Sequence, residues 1–303
     1  MKNHPVNLMK EFVRGQTAKR LKKLESEVRN SASGPDDPDA IHDLRVSIRR
    51  LNQELRVFQA WFKRGRVKKL RRSLKGLMEQ CGAVRNCDIA MEVLKAAAWQ
   101  DPALSQGLED ERRQTYKKLH KTLQKWHHKN RARKWRENLQ VREKIQESDG
   151  DCEDFARAEE RAWDLLPAMI DDLFRTGHDA AKAGTSHQRM HRFRLMTKHV
   201  RYTLEVFTPV YETETGTIME ALKGLQERLG AINDCAASLV MVHENRAASA
   251  AIRGLAEERE MEFRKYWRRH FGARVRTQWK DLLGRPQPES QRRKTRTRTG
   301  KVN

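Results

Sequence analysis

The segment HDLRVSIRRLNQELRVF, residues 42–58, decides the fold because it has two distinct faces when it is drawn as an α-helix. One face is an apolar stripe at the spacing of a buried helix and consists of Leu44, Ile48, Leu51, Leu55 and Phe58. The opposite face is a ridge of His42, Arg45, Arg49, Asn52 and Arg56, and Arg50 falls outside it. Like charges one helical turn apart repel by a few tenths of a kcal/mol, so an unrelieved row of cations predicts a counter-charge from elsewhere.

A second copy of this segment occurs late in the chain. HRFRLMTKHVRYTLEVF, residues 191–207, aligns with residues 42–58 without a gap, and KGLQERLGAINDC at 223–235 aligns with KGLMEQCGAVRNC at 75–87. The paired segments begin at residues 42 and 191 and at residues 75 and 223, so a one-residue gap reconciles both matches. The repeat predicts an all-α protein made of two similar four-helix bundles, related by a pseudo-twofold axis and meeting near residue 150.

Helical periodicity covers most of the chain, whereas strand and hairpin signals are nearly absent. The predicted helices are 5–30, 39–64, 66–98, 104–147, 151–183, 186–210, 216–246 and 248–284. SGPDDPD at 33–39 holds two prolines and three aspartates that offer helix caps just before Ile41, and QDP at 100–102 is a further break between helices. Residues 1–285 therefore form one domain with half-repeats 1–150 and 151–285, and the basic tail 286–303 is expected to be disordered.

The second copy keeps the cationic ridge of the first. The corresponding residues are His191, Arg194, Lys198 and Arg201, and Glu205 is the one acid that breaks the row. Other carboxylates are expected not to converge on either ridge. The helix that follows the first copy adds Lys68, Arg72 and Lys75, which share one face. The two ridges are predicted to face one another or to line a shared groove.

The composition points to an anionic partner. The chain has 63 Lys and Arg against 41 Asp and Glu, a net charge of +22. Nucleic acid, an acidic membrane surface and a phosphate polymer all fit this charge, and so does a basic surface that only keeps the protein in solution. No apolar run of about 18 residues predicts a membrane span, and residues 1–20 lack a secretory signal pattern. The four cysteines form no CxxC pair, which indicates reduced thiols in the cytoplasm.

Two further patterns have a structural and a functional interpretation. WHHKNRARKWR at 126–136 mixes aromatic rings with cations, which suits base stacking, but the pattern favours a solvated helix with Trp126 or Trp135 turned to the core. His187 and His191 lie one turn apart, as metal ligands can, but no third ligand at a suitable spacing follows. We predict no metal and no cofactor.

The quoted segments resemble the CHAD family, the conserved histidine α-helical domain. HDLRVSIRRLN at 42–52 is similar to the family pattern H-x-x-R-V-x-x-R-R-L-R, with Asn52 in place of the last arginine. HRFRLMTKHVRYTLE at 191–205 is similar to H-x-x-R-x-x-x-K-x-x-R-Y-x-x-E, and CGAVRNCD and LGAIND resemble the segments that follow. The resemblance covers about residues 5–284.

The resemblance implies two antiparallel bundles with a basic groove or pore between them that binds inorganic polyphosphate. The residues carried over by position are His42, Arg45, Arg49, His191, Arg194, Lys198 and Arg201. Arg56, Lys68, Arg72 and Lys75 join this set from helical spacing alone. We expect a non-catalytic cytoplasmic protein that could gather on polyphosphate granules, with a nucleic-acid-binding helical protein as the alternative. The oligomeric state does not follow from the sequence.

Overall fold

The structure of the chain, a computed structural model, describes residues 5–34, 36–139, 141, 158–211 and 215–285, with side chains from residue 9 onward. Ten α-helices within these ranges confirm the all-α class. They are α1 (Pro5–Ser33), α2 (Pro38–Val57), α3 (Arg64–Ala96), α4 (Pro102–His128), α5 (Arg131–Asn138), α6 (Ala158–Ala180), α7 (His187–Tyr211), α8 (Gly216–Met241), α9 (Arg246–His270) and α10 (Ala273–Leu283). The predicted tail and the predicted junction near residue 150 lie outside the described residues.

Aspartate caps start two of the helices, and the cap before α2 was predicted. The Asp37 carboxylate accepts a hydrogen bond from the Asp39 backbone N–H before α2, and Asp101 accepts one from the Leu104 N–H before α4. Each cap is followed by proline at the first helical position, where a missing N–H has no cost. The local sequence therefore determines where these helices begin.

Several predicted helix bounds are wrong; α8, for example, ends at Met241 rather than at residue 246. The helix expected at 104–147 is α4 and α5 within the described residues, because Asn130 adopts a left-handed φ of 47° that ends the helical path. The helix expected at 248–284 is α9 and α10, separated at Gly272, whose ψ of 170° is extended. The first ridge helix ends at Val57 rather than at residue 64, and a short 3-10 turn, Gln59–Trp61, follows it.

The apolar stripe of α2 forms part of the core, as predicted. Leu44, Ile48, Leu51 and Leu55 are fully buried, and Phe58 is 1% exposed. Burial of each such side chain stabilises the fold by roughly 1.5–3 kcal/mol. One continuous core joins this stripe to apolar side chains of α6 and α7, so the two predicted halves share their interior.

The halves meet through corresponding helices: α2 packs on α7, and α3 packs on α8. Phe58 and Phe207, which occupy the same position in the two copies, touch edge to face with ring centroids 5.9 Å apart. Arg50 of α2 forms a two-pronged ion pair with Glu205 of α7 at 2.6 and 3.1 Å. A twofold axis brings equivalent residues together in this way. The pseudo-symmetry itself stays a prediction that these contacts favour.

Within the described ranges, no helix combines the length and the apolar character needed to cross a bilayer. Cys81, Cys87 and Cys235 are free thiols buried in the interior. Burial raises the pKa of the Cys81 thiol to about 12 and that of the Cys87 thiol to about 11. Neither thiol is therefore a reactive thiolate near neutral pH.

Candidate anion-binding site

The packing of α2 on α7 brings cations of both ridges together. Arg45 and Arg49 come from α2, and Arg194 and Lys198 come from α7. All four side chains are partly buried, because each helix turns its apolar stripe to the core and its ridge toward the other half. Together with His42 of α2 and Arg85 of α3, they form what we call the cationic cluster.

The electrostatics of the cluster show that its members lie close to one another. Burial, followed by the charges of Arg194 and Arg49, lowers the pKa of the Lys198 amine to about 7, and Arg45 acts in the same direction. Burial also lowers the pKa of Arg45, to which Arg49, Arg85 and Arg194 contribute by repulsion. The cluster thus holds like charges from three helices in a poorly solvated region, which is unfavourable for the isolated protein.

His42 lies at the exposed edge of the cluster. Partial burial of its ring, with repulsion from Arg49 and Arg85, lowers the pKa of the imidazole. A neutral imidazole can still donate one hydrogen bond to an anion, and a nearby anion would favour the charged form. His42 is therefore a donor whose charge depends on what occupies the site.

Several hydrogen-bond donors of the cluster lack a protein acceptor. Within the part of the chain that the structure describes, the Nε atoms of Arg49 and Arg194 are buried and have no hydrogen-bond partner. Arg45 Nη1 donates to the Cys81 carbonyl oxygen at 3.2 Å and lies against Gly82 of α3. Buried donors without acceptors cost free energy, so an anion that accepts from them would stabilise the folded protein.

Carboxylates do reach the cluster, and the expectation that they stay away from the ridges is wrong here. Arg85 pairs with Glu92 at 3.0 Å and lies 3.8 Å from Asp88, and Asp234 of α8 lies among the cations of α3 and α7. Burial raises the pKa of Asp234 of α8, although Arg194, Arg85 and Lys198 favour its charged form. The Oδ1 of the neighbouring Asn233 lies 3.2 Å from His191 Nδ1 and accepts a hydrogen bond when that nitrogen carries the proton. Asp234 alone cannot neutralise the cations around it.

Two of the predicted ridge residues lie outside the cluster, and one of them, Arg201, has other partners. Arg201 donates from Nη1 to Gln226 Oε1 at 2.7 Å, and its Nε lies 3.4 Å from Glu205. Arg56 is exposed near the end of α2, where its charge adds to the burial that lowers the pKa of His199 to about 4. Glu205 therefore uses Arg201 and Arg50 as partners, and these arginines are less available to an external anion than Arg49 or Arg194.

The three cations predicted from α3 lie on its exposed surface. Lys68, Lys75 and Gly82 are spaced by about two helical turns, so they lie on the same face of α3. This face leads from the lysines to Gly82, against which Arg45 of the cluster lies. Lys75 Nζ is 3.7 Å from Glu79 Oε1. The structure thus places Lys68, Arg72 and Lys75 in line with the cluster but beyond it.

Sequence reasoning missed Arg85 and Asp234 as members of the site. Both lie in the quoted repeat segments, GAVRN and GAIND, and Asn233 occupies in the second copy the position of Arg85 in the first. The signal was available in the alignment of the two copies. Arg85 is also partly neutralised, because its guanidinium donates to Glu92 at 3.0 and 3.2 Å.

His187 and His191, the pair at metal-ligand spacing for which no metal was predicted, lie near each other on α7. The rings of His187 and His191 have centroids 6.3 Å apart. Among the residues that the structure describes, no group of three histidine, cysteine, aspartate or glutamate side chains is arranged to hold a metal ion.

Fold and site together define an all-helical protein whose two halves meet at a cluster of poorly neutralised cations. The sequence profile of the CHAD domain matches residues 15–243. The chain therefore belongs to the CHAD domain family.

Two solved structures share the fold. The CHAD domain from the plant Ricinus communis is 18% identical, with a TM-score of 0.53 over 90% of this chain and 91% of that one. PptA from Streptomyces chartreusis is 16% identical, with a TM-score of 0.59 over 85% of this chain and 98% of that one. No curated protein matches the sequence. At these identities the two structures support the fold alone.

Proposed function

We propose that the chain binds inorganic polyphosphate at the cationic cluster and does not hydrolyse it. The observation that supports this most directly is the accumulation of Arg45, Arg49, Arg194 and Lys198 at the contact of α2 with α7, where the Nε atoms of Arg49 and Arg194 have no partner among the described residues. Such an arrangement destabilises the free protein, and an anion offsets that cost.

The chemistry of the cluster suits phosphate. Arginine presents a planar fork of N–H donors that matches two phosphate oxygens, whereas Lys198 supplies a compact charge. A phosphate polymer repeats its charge along its length and has no base to be recognised, so cations spaced along a track are sufficient to bind it. The row Lys68, Arg72 and Lys75 would extend this track along the surface of α3.

Membership of the CHAD family supports the same ligand, because the family resemblance is what links these helices to polyphosphate. The proposal includes no turnover. Asp234, the acid beside Arg194 and Lys198, favours their charged forms and is assigned no catalytic role. A cytoplasmic protein of this kind would collect on polyphosphate granules.

The test is a salt-titrated binding assay with polyphosphate of defined length. Arg45→Glu combined with Arg194→Glu should weaken binding at least about tenfold, since each charge-assisted hydrogen bond contributes roughly 1.5–3 kcal/mol. The matched control is Lys118→Glu with Lys121→Glu, which makes the same change in net charge at exposed positions of α4. It should alter affinity far less. Lys68→Glu with Lys75→Glu should fall between the two.

Three outcomes would contradict the proposal. Equal losses in the cluster and control variants would show that only net charge matters. Displacement of polyphosphate by RNA or DNA at equal phosphate concentration and equal salt would favour the nucleic-acid alternative. Sustained release of phosphate with Mg²⁺ or Mn²⁺, abolished by Arg45→Glu with Arg194→Glu, would identify an enzyme. Circular dichroism of each variant checks that helicity is kept.

A further inference from the structure

A second basic cavity lies at the start of α3, far from the cationic cluster. It has a volume of about 790 Å³ and is lined by Lys63, Arg66, Lys69, Arg131, Lys134 and Trp135, among other residues. This volume is in the range of small-molecule sites, roughly 300–1,000 Å³. Lys69 is about 20 Å along α3 from Gly82, against which Arg45 lies, so the two sites are separate.

The cations of α5 form two groups: some are paired with carboxylates, and others line the cavity. Arg133 and Arg136 form ion pairs, with Glu137 at 2.9 Å and with Glu25 at 3.1 Å. Arg131 and Lys134 line the cavity, and neither pairs with a carboxylate among the residues that the structure describes. Lys63 and Lys69 share this property on the α3 side. The cavity therefore concentrates these cations, which lack carboxylate partners in the described part of the chain, whereas the neighbouring cations Arg133 and Arg136 are paired.

Trp135 gives this cavity a feature that a simple phosphate site does not need. The indole packs partly against the core, which fixes its position, and it also forms part of the cavity wall. The other tryptophan of the same segment, Trp126, is buried at 3% exposure beneath Arg131. In the segment 126–136, Trp126 thus lies in the core, as one interpretation of the sequence expects, and Trp135 lies beside the cations; base stacking stays a prediction.

We propose that this cavity binds a nucleoside polyphosphate such as ATP. The base would stack on the indole of Trp135, and the phosphates would accept hydrogen bonds from Lys69, Lys134 and their cationic neighbours. The aliphatic stems of the lysines and arginines would cover the sugar. Neither inorganic polyphosphate nor an uncharged aromatic molecule uses both parts of the cavity.

The ligand class is tested by isothermal titration of the full chain with ATP, tripolyphosphate and adenosine. The titrations use the Arg45→Glu, Arg194→Glu background, so that triphosphate binding at the cationic cluster does not contribute. ATP should bind at least about tenfold more tightly than tripolyphosphate, because a stacked base adds to the phosphate contacts. Equal affinity for ATP and tripolyphosphate would overturn the proposal, as would binding of a single-stranded oligonucleotide without binding of ATP.

The location is tested by variants of the cavity in the same background. Trp135→Ala should weaken ATP binding about tenfold, and Trp135→Phe should restore most of it. Because Trp135 also packs on the core, the exposed pair Lys69→Glu with Lys134→Glu provides an independent test and should reduce ATP binding about tenfold or more. The control Lys118→Glu with Lys121→Glu should leave it nearly unchanged. Unaltered ATP binding in the Lys69, Lys134 variant would place the ligand elsewhere.

Discussion

At the scale of single residues, Lys198 connects the electrostatics of the cluster with its function. Its amine faces Arg45 and Arg49 of α2, Arg194 of its own helix and Asp234 of α8. With a pKa lowered to about 7, the amine is largely neutral in the free protein above that pH. Phosphate oxygens beside it would restore a higher pKa, so that binding takes up a proton.

This linkage predicts that polyphosphate affinity rises as the pH falls. Between about pH 9 and about pH 7 the affinity should increase by up to about tenfold per pH unit, and it should level off below the lowered pKa except for a further contribution from His42. Binding titrations at several pH values measure this change in affinity. They use long-chain polyphosphate, because its internal phosphates stay ionised over this range.

Two substitutions separate Lys198 from the other titrating groups. Lys198→Met should flatten the pH dependence between about pH 9 and about pH 7, and Lys198→Arg should keep the affinity high throughout, since arginine stays charged. Parallel pH curves for the wild type and Lys198→Met would show that the linkage lies in another group.

At the scale of the helices, local signals account for most boundaries. The aspartate and proline before α2 and α4 were visible in the sequence, because a cap involves only neighbouring residues. The break at Asn130 was not visible in the sequence, because a left-handed residue can interrupt a helix without any change in the apolar periodicity.

The left-handed backbone at Asn130 predicts opposite effects of two substitutions. Asn130→Ala should lower the free energy of unfolding by about 1 kcal/mol, since alanine adopts the left-handed conformation less readily than asparagine does. Asn130→Gly should leave the stability nearly unchanged or raise it slightly. Urea denaturation of both variants measures the difference. A less stable Asn130→Gly than Asn130→Ala would contradict the backbone argument.

At the scale of the whole molecule, Glu205 connects the two halves. Its carboxylate accepts from Arg50 across the contact of α2 with α7 and lies near Arg201 of its own helix, and its side chain is 11% exposed. The pair is part of the same packing that assembles the cationic cluster. The stability of the contact and the geometry of the site are therefore coupled.

Glu205→Gln should lower the free energy of unfolding by about 1–3 kcal/mol, because Arg50 would then keep a poorly solvated charge without a counter-charge. Glu79→Gln is the matched control: it breaks the exposed pair with Lys75, whose side chains are 77% and 64% exposed, and should cost under about 0.5 kcal/mol. Denaturant titrations measure both. Similar losses in the two variants would mean that the pair between the halves contributes no more than a surface ion pair.

The sequence by itself determined the helical class, the buried stripe of α2, the caps at Asp37 and Asp101 and the cationic ridges, because each depends on residues within a few turns of one another. Only the tertiary structure decided which cations share a site. The packing of the helices places Arg85 and Asp234 at the cluster and pairs Arg50 and Arg201 with Glu205. It leaves three of the predicted cations on the exposed surface of α3: Lys68, Arg72 and Lys75. The physical reason is that the pairing and solvation of a charge depend on helices that are distant in the sequence and adjacent in the fold.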